Sequence, residues 1–311
     1  MIDKELLAQR FEKEFALRDT PGGHMAYDYA LLEHEGEPYF IKHHDSATFT
    51  DPERETHSRL YLSKESATYD HLHEQGFVSI PRHHELLGDT TLLLEGLPPE
   101  QGWYWRAPTG NSTHDYIQDV LASLATLETI GQPENCYPIT PTYLSFNEEG
   151  WSTLRFMDNG DHVRQKIREI RHQLHTKTAE AVDELGKQIE VLAMHFTQPH
   201  TSCFTAFAHH DARQTNIAWH PEHGTRIVDW SWAGAGLPKS DSTSFLIDLA
   251  KSGVDVNDYL DEYFNPDHAM TLIGFWLGHS IWPTRPGNES VRLHQIASAA
   301  TAYQLLVERA A

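Results

Sequence analysis

Between Phe207 and Trp230 three polar side chains, those of Asp211, Asn216 and Asp229, have the types and spacing to hold a divalent cation and to take up a proton. Ile217 to His220 and Thr225 to Val228 are short β-prone runs, and Pro221-Glu222-His223-Gly224 between them is turn chemistry, so the segment reads as a hairpin. A turn centred on those four residues makes Ile217 face Val228 and Asn216 face Asp229. Directly opposed residues project from one face with Cβ atoms about 4.5–5.5 Å apart. A carboxamide oxygen and a carboxylate side by side form a ligand pair for a hard divalent cation.

Asp211 stands five residues before Asn216, on the loop that enters the hairpin, and is available as a base. Any one of these residues alone reads more naturally as a turn cap or a strand end. Their joint spacing argues for chemistry.

His209-x-Asp211-x4-Asn216, followed by Ile227-Val228-Asp229-Trp230, resembles the catalytic loop and metal-binding Asp of the aminoglycoside phosphotransferase and choline kinase group. That group is the small-molecule branch of the protein-kinase-like fold. The usual loop there is His-Gly-Asp, whereas this chain has His210 at the middle position. Protein kinases carry Asp-Phe-Gly where this chain has Asp229-Trp230-Ser231, and no Ala-Pro-Glu follows, which favours the small-molecule branch.

The resemblance implies partners elsewhere in the chain. Tyr39-Phe40-Ile41-Lys42 reads as a strand that follows Tyr27 to Glu33 across a Glu35-Gly36-Glu37 turn, and its Lys42 is expected to reach the α and β phosphates. A helix spans about Glu55 to Gln75, on which Leu62, Glu65, Tyr69 and Leu72 share one face. A carboxylate on an apolar stripe calls for a partner, and the kinase-like fold supplies Lys42 to Glu65. Thr91 to Pro99 reads as a buried strand ending at a breaker and resembles the hinge, where the carbonyl of Glu95 and the amide of Leu97 are implied to bind the adenine edge. Ahead of these, Pro21-Gly22-Gly23-His24 is a tight turn whose glycines permit close backbone approach to phosphate.

The implied fold class is α+β, a two-lobed protein-kinase-like fold. Residues 1–97 are expected to form a small, mostly antiparallel β lobe with one helix, which binds the nucleotide and ends in the hinge. Residues 98–311 are expected to form a larger, mainly helical lobe for catalysis and acceptor binding. Helices are expected near Asp115 to Ile130 and, as one or two segments, from about Asp161 to Phe196. Gln132 to Gly160, rich in Pro, Asn and Gly, reads as an irregular insertion bordering the acceptor. Asp248-Leu249-Ala250 resembles a short motif that follows the metal-binding Asp in the family and is given a structural role.

Composition narrows the partners. Lys plus Arg number 24 against 45 Asp plus Glu, a formal net charge of −21, which argues against nucleic acid as a partner. Acidic surface mostly serves solubility, but the stretch from Asp241 to Asp267 could attract a cationic acceptor such as an amino sugar or aminoglycoside. Two cysteines are too few for a disulfide framework. The 22 histidines show no metal-binding spacing, and most of the eight tryptophans suit core packing. No uncharged apolar run reaches the roughly 18 residues of a membrane span, and the first twenty residues lack a leader's apolar core. A cytoplasmic setting with no membrane partner is expected.

These readings imply transfer of the γ-phosphoryl group of ATP, or of GTP, to a hydroxyl of a small molecule. Asp211 is the expected base, Asn216 and Asp229 the Mg²⁺ ligands, and Lys42 with Glu65 the phosphate-steadying pair. A nucleotide-binding pseudokinase, or a regulatory module in which His210 and the insertion block the acceptor, is the alternative.

Overall fold

A two-residue hairpin starts the architecture. In the computed structural model, which describes residues 2, 4–11, 16–19, 27–49, 51–133, 142–284 and 290–310, strand β2 (Tyr27–His34) pairs antiparallel with β3 (Glu37–His44) around Glu35 and Gly36. Both loop residues take positive φ, 53° and 83°. That is the mirror-image turn whose twist matches paired strands, and Gly36 adopts it without steric penalty.

Around this hairpin the order along the chain is α1 (Lys4–Arg10), β1 (Ala16–Asp19), β2, β3, α2 (Pro52–Glu74), β4 (His83–Leu87), β5 (Thr91–Glu95) and α3 (Ser112–Leu127). The strands make one antiparallel sheet in the order β1-β2-β3-β5-β4, so Lys42 lies on an inner strand between Tyr29 and Leu92. One helix is expected in this region, and α1 is a second. Its Leu7, with Phe11 just beyond, is buried against Leu32, Ile41 and Leu93, each such side chain adding about 1.5–3 kcal/mol of burial.

Helix α2 begins where Asp51 caps it, accepting the Glu53 amide at 3.0 Å, with Pro52 in its first turn. Leu62, Tyr69 and Leu72 are fully buried along one face, and Glu65 shares that face. His83 ties β4 to the same helix: its Nδ1 lies 2.6 Å from Asp70 and its Nε2 3.0 Å from Ser66.

The chain continues through α4 (Thr142–Glu149), α5 (Trp151–Leu154), α6 (Met157–Ile170), α7 (Thr176–His195) and β6 (Ala206–Ala208) to the hairpin β7 (Ile217–His220) and β8 (Gly224–Ile227). Then come β9 (Gly234–Gly236), α8 (Ser240–Lys251), α9 (Asn257–Tyr263), α10 (Pro266–Ser280) and α11 (Ser290–Ala310). The expected helical region 161–196 is thus two helices, α6 and α7. The expected irregular insertion at 132–160 is instead partly helical: Phe146, Trp151 and Leu154 bury the inner faces of α4 and α5.

Two compact units result, one of Met1–Tyr137 with Gln214–Ala233 and one of Pro138–Arg213 with Gly234–Ala311. The expected lobe boundary at residue 97 follows the end of β5 and falls within the first unit. The second unit packs α10 and α7 on α11 and carries the short ladder β6·β9. The α+β class expected from sequence is the one observed. Among the described residues no helix is long and apolar enough to cross a membrane.

Candidate active site

In the first unit, three charges from three segments meet. The Lys42 ammonium donates to Glu65 Oε2 at 2.7 Å and to Asp229 Oδ1 at 2.9 Å, and sits 4.8 Å from the centre of the Tyr27 ring. Lys42 and Glu65 are buried, whereas the Asp229 side chain is 42 % exposed. Burial draws Lys42 down, but Asp229 and Glu65 outweigh it, so the ammonium is held well above the usual lysine range. Burial is also the largest influence on Glu65 and lifts its carboxyl to about 7 against the pull of Lys42. The Glu65 carboxyl therefore titrates near neutrality.

The hairpin that delivers Asp229 differs from its expected register. Ile217 pairs with Ile227 and His220 with Gly224, so the loop is the three residues Pro221, Glu222 and His223, and Asn216 stands opposite Val228 rather than Asp229. The Val228 amide donates to the Asn216 carbonyl at 2.9 Å. Gly224, at φ +70°, is the cause: it closes the loop in the left-handed region and joins the ladder itself, which shortens the turn by one residue. Thr225 anchors the hairpin to α3 by donating to Asp119 at 2.9 Å, and the Ile227 amide donates to the Ser79 carbonyl.

Asp229 leaves the ladder at φ 69°, ψ 61°. Left-handed backbone is tolerated by Asp better than by most residues, and the following turn is pinned by the fully buried Trp230, whose indole donates to the Ile227 carbonyl at 3.0 Å. Ser231 also donates to Asp229 Oδ1, at 3.2 Å. Asn216 is buried at the hairpin's entrance. A carboxamide and a partly exposed carboxylate at adjoining ends of one ladder are a donor set that fits Mg²⁺.

The hinge-like segment also has distinct features. Glu95 exchanges bonds with Arg82, its amide donating at 2.9 Å to the Arg82 carbonyl and its carboxylate accepting the Arg82 amide at 3.0 Å. A Cβ on Gly96 would come 2.9 Å from the Pro38 carbonyl carbon, so only glycine fits there. The Leu97 carbonyl accepts the Trp105 indole at 3.0 Å, while among the described residues the buried Leu97 amide has no acceptor. Gly22, Gly23 and His24 lie outside the described residues.

In the second unit the loop His209-His210-Asp211 is clamped by a residue whose role went unseen in the sequence. The buried Asp241 carboxylate accepts the His209 amide at 2.6 Å and the His210 amide at 2.8 Å. In the sequence Asp241 reads as part of an acidic, acceptor-attracting stretch; instead it is committed to the loop backbone. Its only local signal is a place in the first turn of α8, where an acid also suits the helix dipole. Asp248 is likewise engaged, 2.7 Å from Lys251.

His210 takes φ +66°, the conformation for which its usual counterpart is glycine. Its Nε2 donates to the Ala235 carbonyl at 2.9 Å, which offsets the left-handed backbone. The Asp211 amide donates to His209 Nδ1 at 3.1 Å, so the His209 ring braces the turn. The Asp211 carboxylate is 36 % exposed, 3.1 Å from the Arg213 guanidinium.

A small antiparallel sheet with an inner-strand lysine, a helix supplying its glutamate and a largely helical remainder define the protein-kinase-like fold. The family model described as the phosphotransferase enzyme family matches residues 22–272, and the chain belongs to that family. Among solved structures it is similar to a thermostable mutant aminoglycoside phosphotransferase in a ternary complex with ADP and hygromycin B, at 12 % identity and TM-score 0.58, over 97 % of each chain. It is also similar to a spectinomycin phosphotransferase in complex with ADP and spectinomycin, at 14 % and 0.56, over 97 % of this chain and 96 % of that one. A third is the choline kinase LicA from Streptococcus pneumoniae, at 12 % and 0.52, over 97 % and 98 %. At such identities the likeness is one of fold. No curated protein sequence matches.

Two stability measurements test this geometry. An acid raised on folding favours the native state below its unfolded value of 4.5 and loses that contribution as pH climbs through about 7. Lys42→Ala removes the cation that makes an ionised Glu65 tolerable, so it should destabilise the protein by about 3 kcal/mol at pH 8 and clearly less at pH 5.5, where Glu65 is neutral. Urea unfolding at the two pH values measures the difference, and an equal loss at both would separate the two residues. Asp241→Ala strands two buried amides and should cost about 3 kcal/mol, whereas Asp241→Asn, which keeps one oxygen, should cost less; the same denaturation experiment ranks them.

Proposed function

We propose that the chain transfers the γ-phosphoryl group of ATP, or of GTP, to a hydroxyl group of a small molecule in the cytoplasm. The observation that carries this reading is the Lys42–Glu65–Asp229 ion-pair triangle, in which a buried carboxylate holds an ammonium group beside a partly exposed second carboxylate. Outside phosphate chemistry such a buried, fully charged lysine has little use, because replacing a buried pair by apolar side chains is often no less stable.

In this reading Lys42, positioned by Glu65, steadies the α and β phosphates. Asn216 and Asp229 hold one or two Mg²⁺ ions. When bound, Mg²⁺ neutralises charge on the phosphate oxygens. Gly22, Gly23 and His24 contact phosphate in this reading, and the Glu95 carbonyl and the Leu97 amide meet the nucleobase; an amide without an internal acceptor supports the latter.

Asp211 orients the acceptor hydroxyl and accepts its proton as the oxygen attacks phosphorus. Arg213 shares that carboxylate, so the hydroxyl binds on its exposed side. A cationic acceptor, an amino sugar or aminoglycoside, suits a chain of net charge −21. The ADP complexes of the spectinomycin and aminoglycoside phosphotransferases agree with a nucleotide co-substrate.

The test is ADP release from Mg-ATP or Mg-GTP against amino sugars, aminoglycosides, choline, nucleosides and homoserine. With the acceptor so found, Asp211→Ala should lower kcat about a thousandfold and leave nucleotide affinity nearly unchanged. Asp229→Ala should instead weaken Mg-nucleotide binding about tenfold or more, read by calorimetry. Stabilisation by Mg-ATP without acceptor-dependent turnover would make the chain a binding module.

A further inference from the structure

At His210 the backbone and the side chain make opposite demands. The residue sits at φ +66°, where most L side chains are strained and glycine, or at some cost asparagine, is at home. Glycine at this place would remove the strain outright. The imidazole must therefore supply an interaction that glycine lacks, and its surroundings show which.

The ring is tied down on two sides. It is 7 % exposed, and its Nε2 donates to the Ala235 carbonyl at 2.9 Å. It meets the Phe146 ring of α4 edge to face, with centroids 6.0 Å apart. β9 leaves room for it through a glycine: a Cβ on Gly236 would lie 3.2 Å from His210 Cε1. The ladder of β6 with β9 ends where Ala208 pairs with Gly234. Two residues further on, the imidazole N–H reaches back to Ala235, the middle residue of β9, and so adds a side-chain rung to a short backbone ladder.

The other bonds of the loop act on its peptide groups. Asp241 accepts the amides of His209 and His210, and His209 Nδ1 accepts that of Asp211. These hold the chain on either side of the His210 Cα. The ring holds the Cα itself, the pivot from which Asp211 is directed. The Asp211 carboxylate stays 36 % exposed beside it, so the ring supports the loop and does not cover the acid.

We infer that His210 is a positioning residue for Asp211: its imidazole, anchored on β9 and packed on α4, holds the acid in one pose. This rests on the phosphotransferase reading, which makes Asp211 the base, and it deepens that reading, because the departure from His-Gly-Asp then aids turnover and does not block the acceptor.

Three substitutions separate the backbone from the ring. Glycine and asparagine suit left-handed backbone but do not reach Ala235. Glutamine suits it no better than histidine, yet its side-chain amide nitrogen stands as many bonds from Cα as the imidazole Nε2. With the acceptor found by ADP release, His210→Gly and His210→Asn should lower kcat about tenfold or more, the scale of a slightly misplaced reacting group. His210→Gln should lower it less, and the nucleotide KM should stay the same in all three. Hydrogen exchange of a peptide spanning 204–213, read by mass spectrometry, should quicken about fivefold or more in the Gly and Asn variants, the scale of one lost hydrogen bond, and less in the Gln variant, while circular dichroism stays unchanged. A Gly or Asn variant that matches or exceeds the unsubstituted protein in kcat, or that outperforms the Gln variant, would show that only the backbone conformation counts and would overturn the positioning role. Exchange unaltered by all three substitutions would overturn it as well. Faster exchange in the Gly and Asn variants, in a protein that itself shows no acceptor-dependent ADP release, would instead overturn the phosphotransferase reading and leave the anchor standing.

Discussion

A single ammonium group satisfies two carboxylates that lie 23 and 187 residues away in the chain. Much of the first unit's architecture serves to make that meeting possible. Lys42 must sit on an inner strand, where the ladder on both sides fixes its backbone, and the order β1-β2-β3-β5-β4 provides this. Glu65 must be carried inside a buried helical face, which its neighbours Leu62, Tyr69 and Leu72 ensure. Neither charge could be buried alone, because each would be driven toward its neutral form. The pairing therefore selects one placement of α2 on the sheet, and the bonds from His83 to Asp70 and Ser66 reinforce it.

Lys64, next to Glu65, extends the same logic. It is buried as well, and donates to the Ala233 carbonyl at 2.5 Å while Glu65 accepts the Trp230 amide, so consecutive residues of α2 hold the turn that follows Asp229. The second unit uses the opposite device. There one carboxylate, Asp241, holds two amides of the loop His209-His210, and charge fixes backbone rather than side chain. Both arrangements place the exposed carboxylates, Asp229 and Asp211, on segments held by buried ionic hydrogen bonds. Groups held this way need little reorganisation when charge develops near them.

Legibility in the sequence followed the range of the interaction. Lys42, Glu65 and Asp229 could be read because each sits in a local pattern: a strand end, a polar break in an apolar stripe, a β run with a terminal acid. Helix α2 and the pair α6 and α7 were readable from periodicity for the same reason. Asp241 was not, since its partners lie about thirty residues upstream and its own neighbourhood looks like an ordinary acidic helix start. Helices α4 and α5 were hidden by a Pro-, Asn- and Gly-rich composition. There Gly150 marks not irregularity but the point where α5 and α10 touch backbone to backbone.

The hairpin register shows where strand reasoning stops applying. Alternation of side chains would make a one-residue slip decisive, since it moves every residue to the other face of a regular strand. Here the slip is real, yet Asp229 still reaches Lys42. β8 ends at Ile227, one further amide bonds across to Asn216, and Asp229 then turns into left-handed backbone, where the pleat no longer dictates direction. What aims its carboxylate is the pull of the ammonium group and the anchoring of Trp230 directly after it. A register error of one is thus absorbed by the single non-repeating residue between ladder and anchor. The acid that meets Lys42 is that residue.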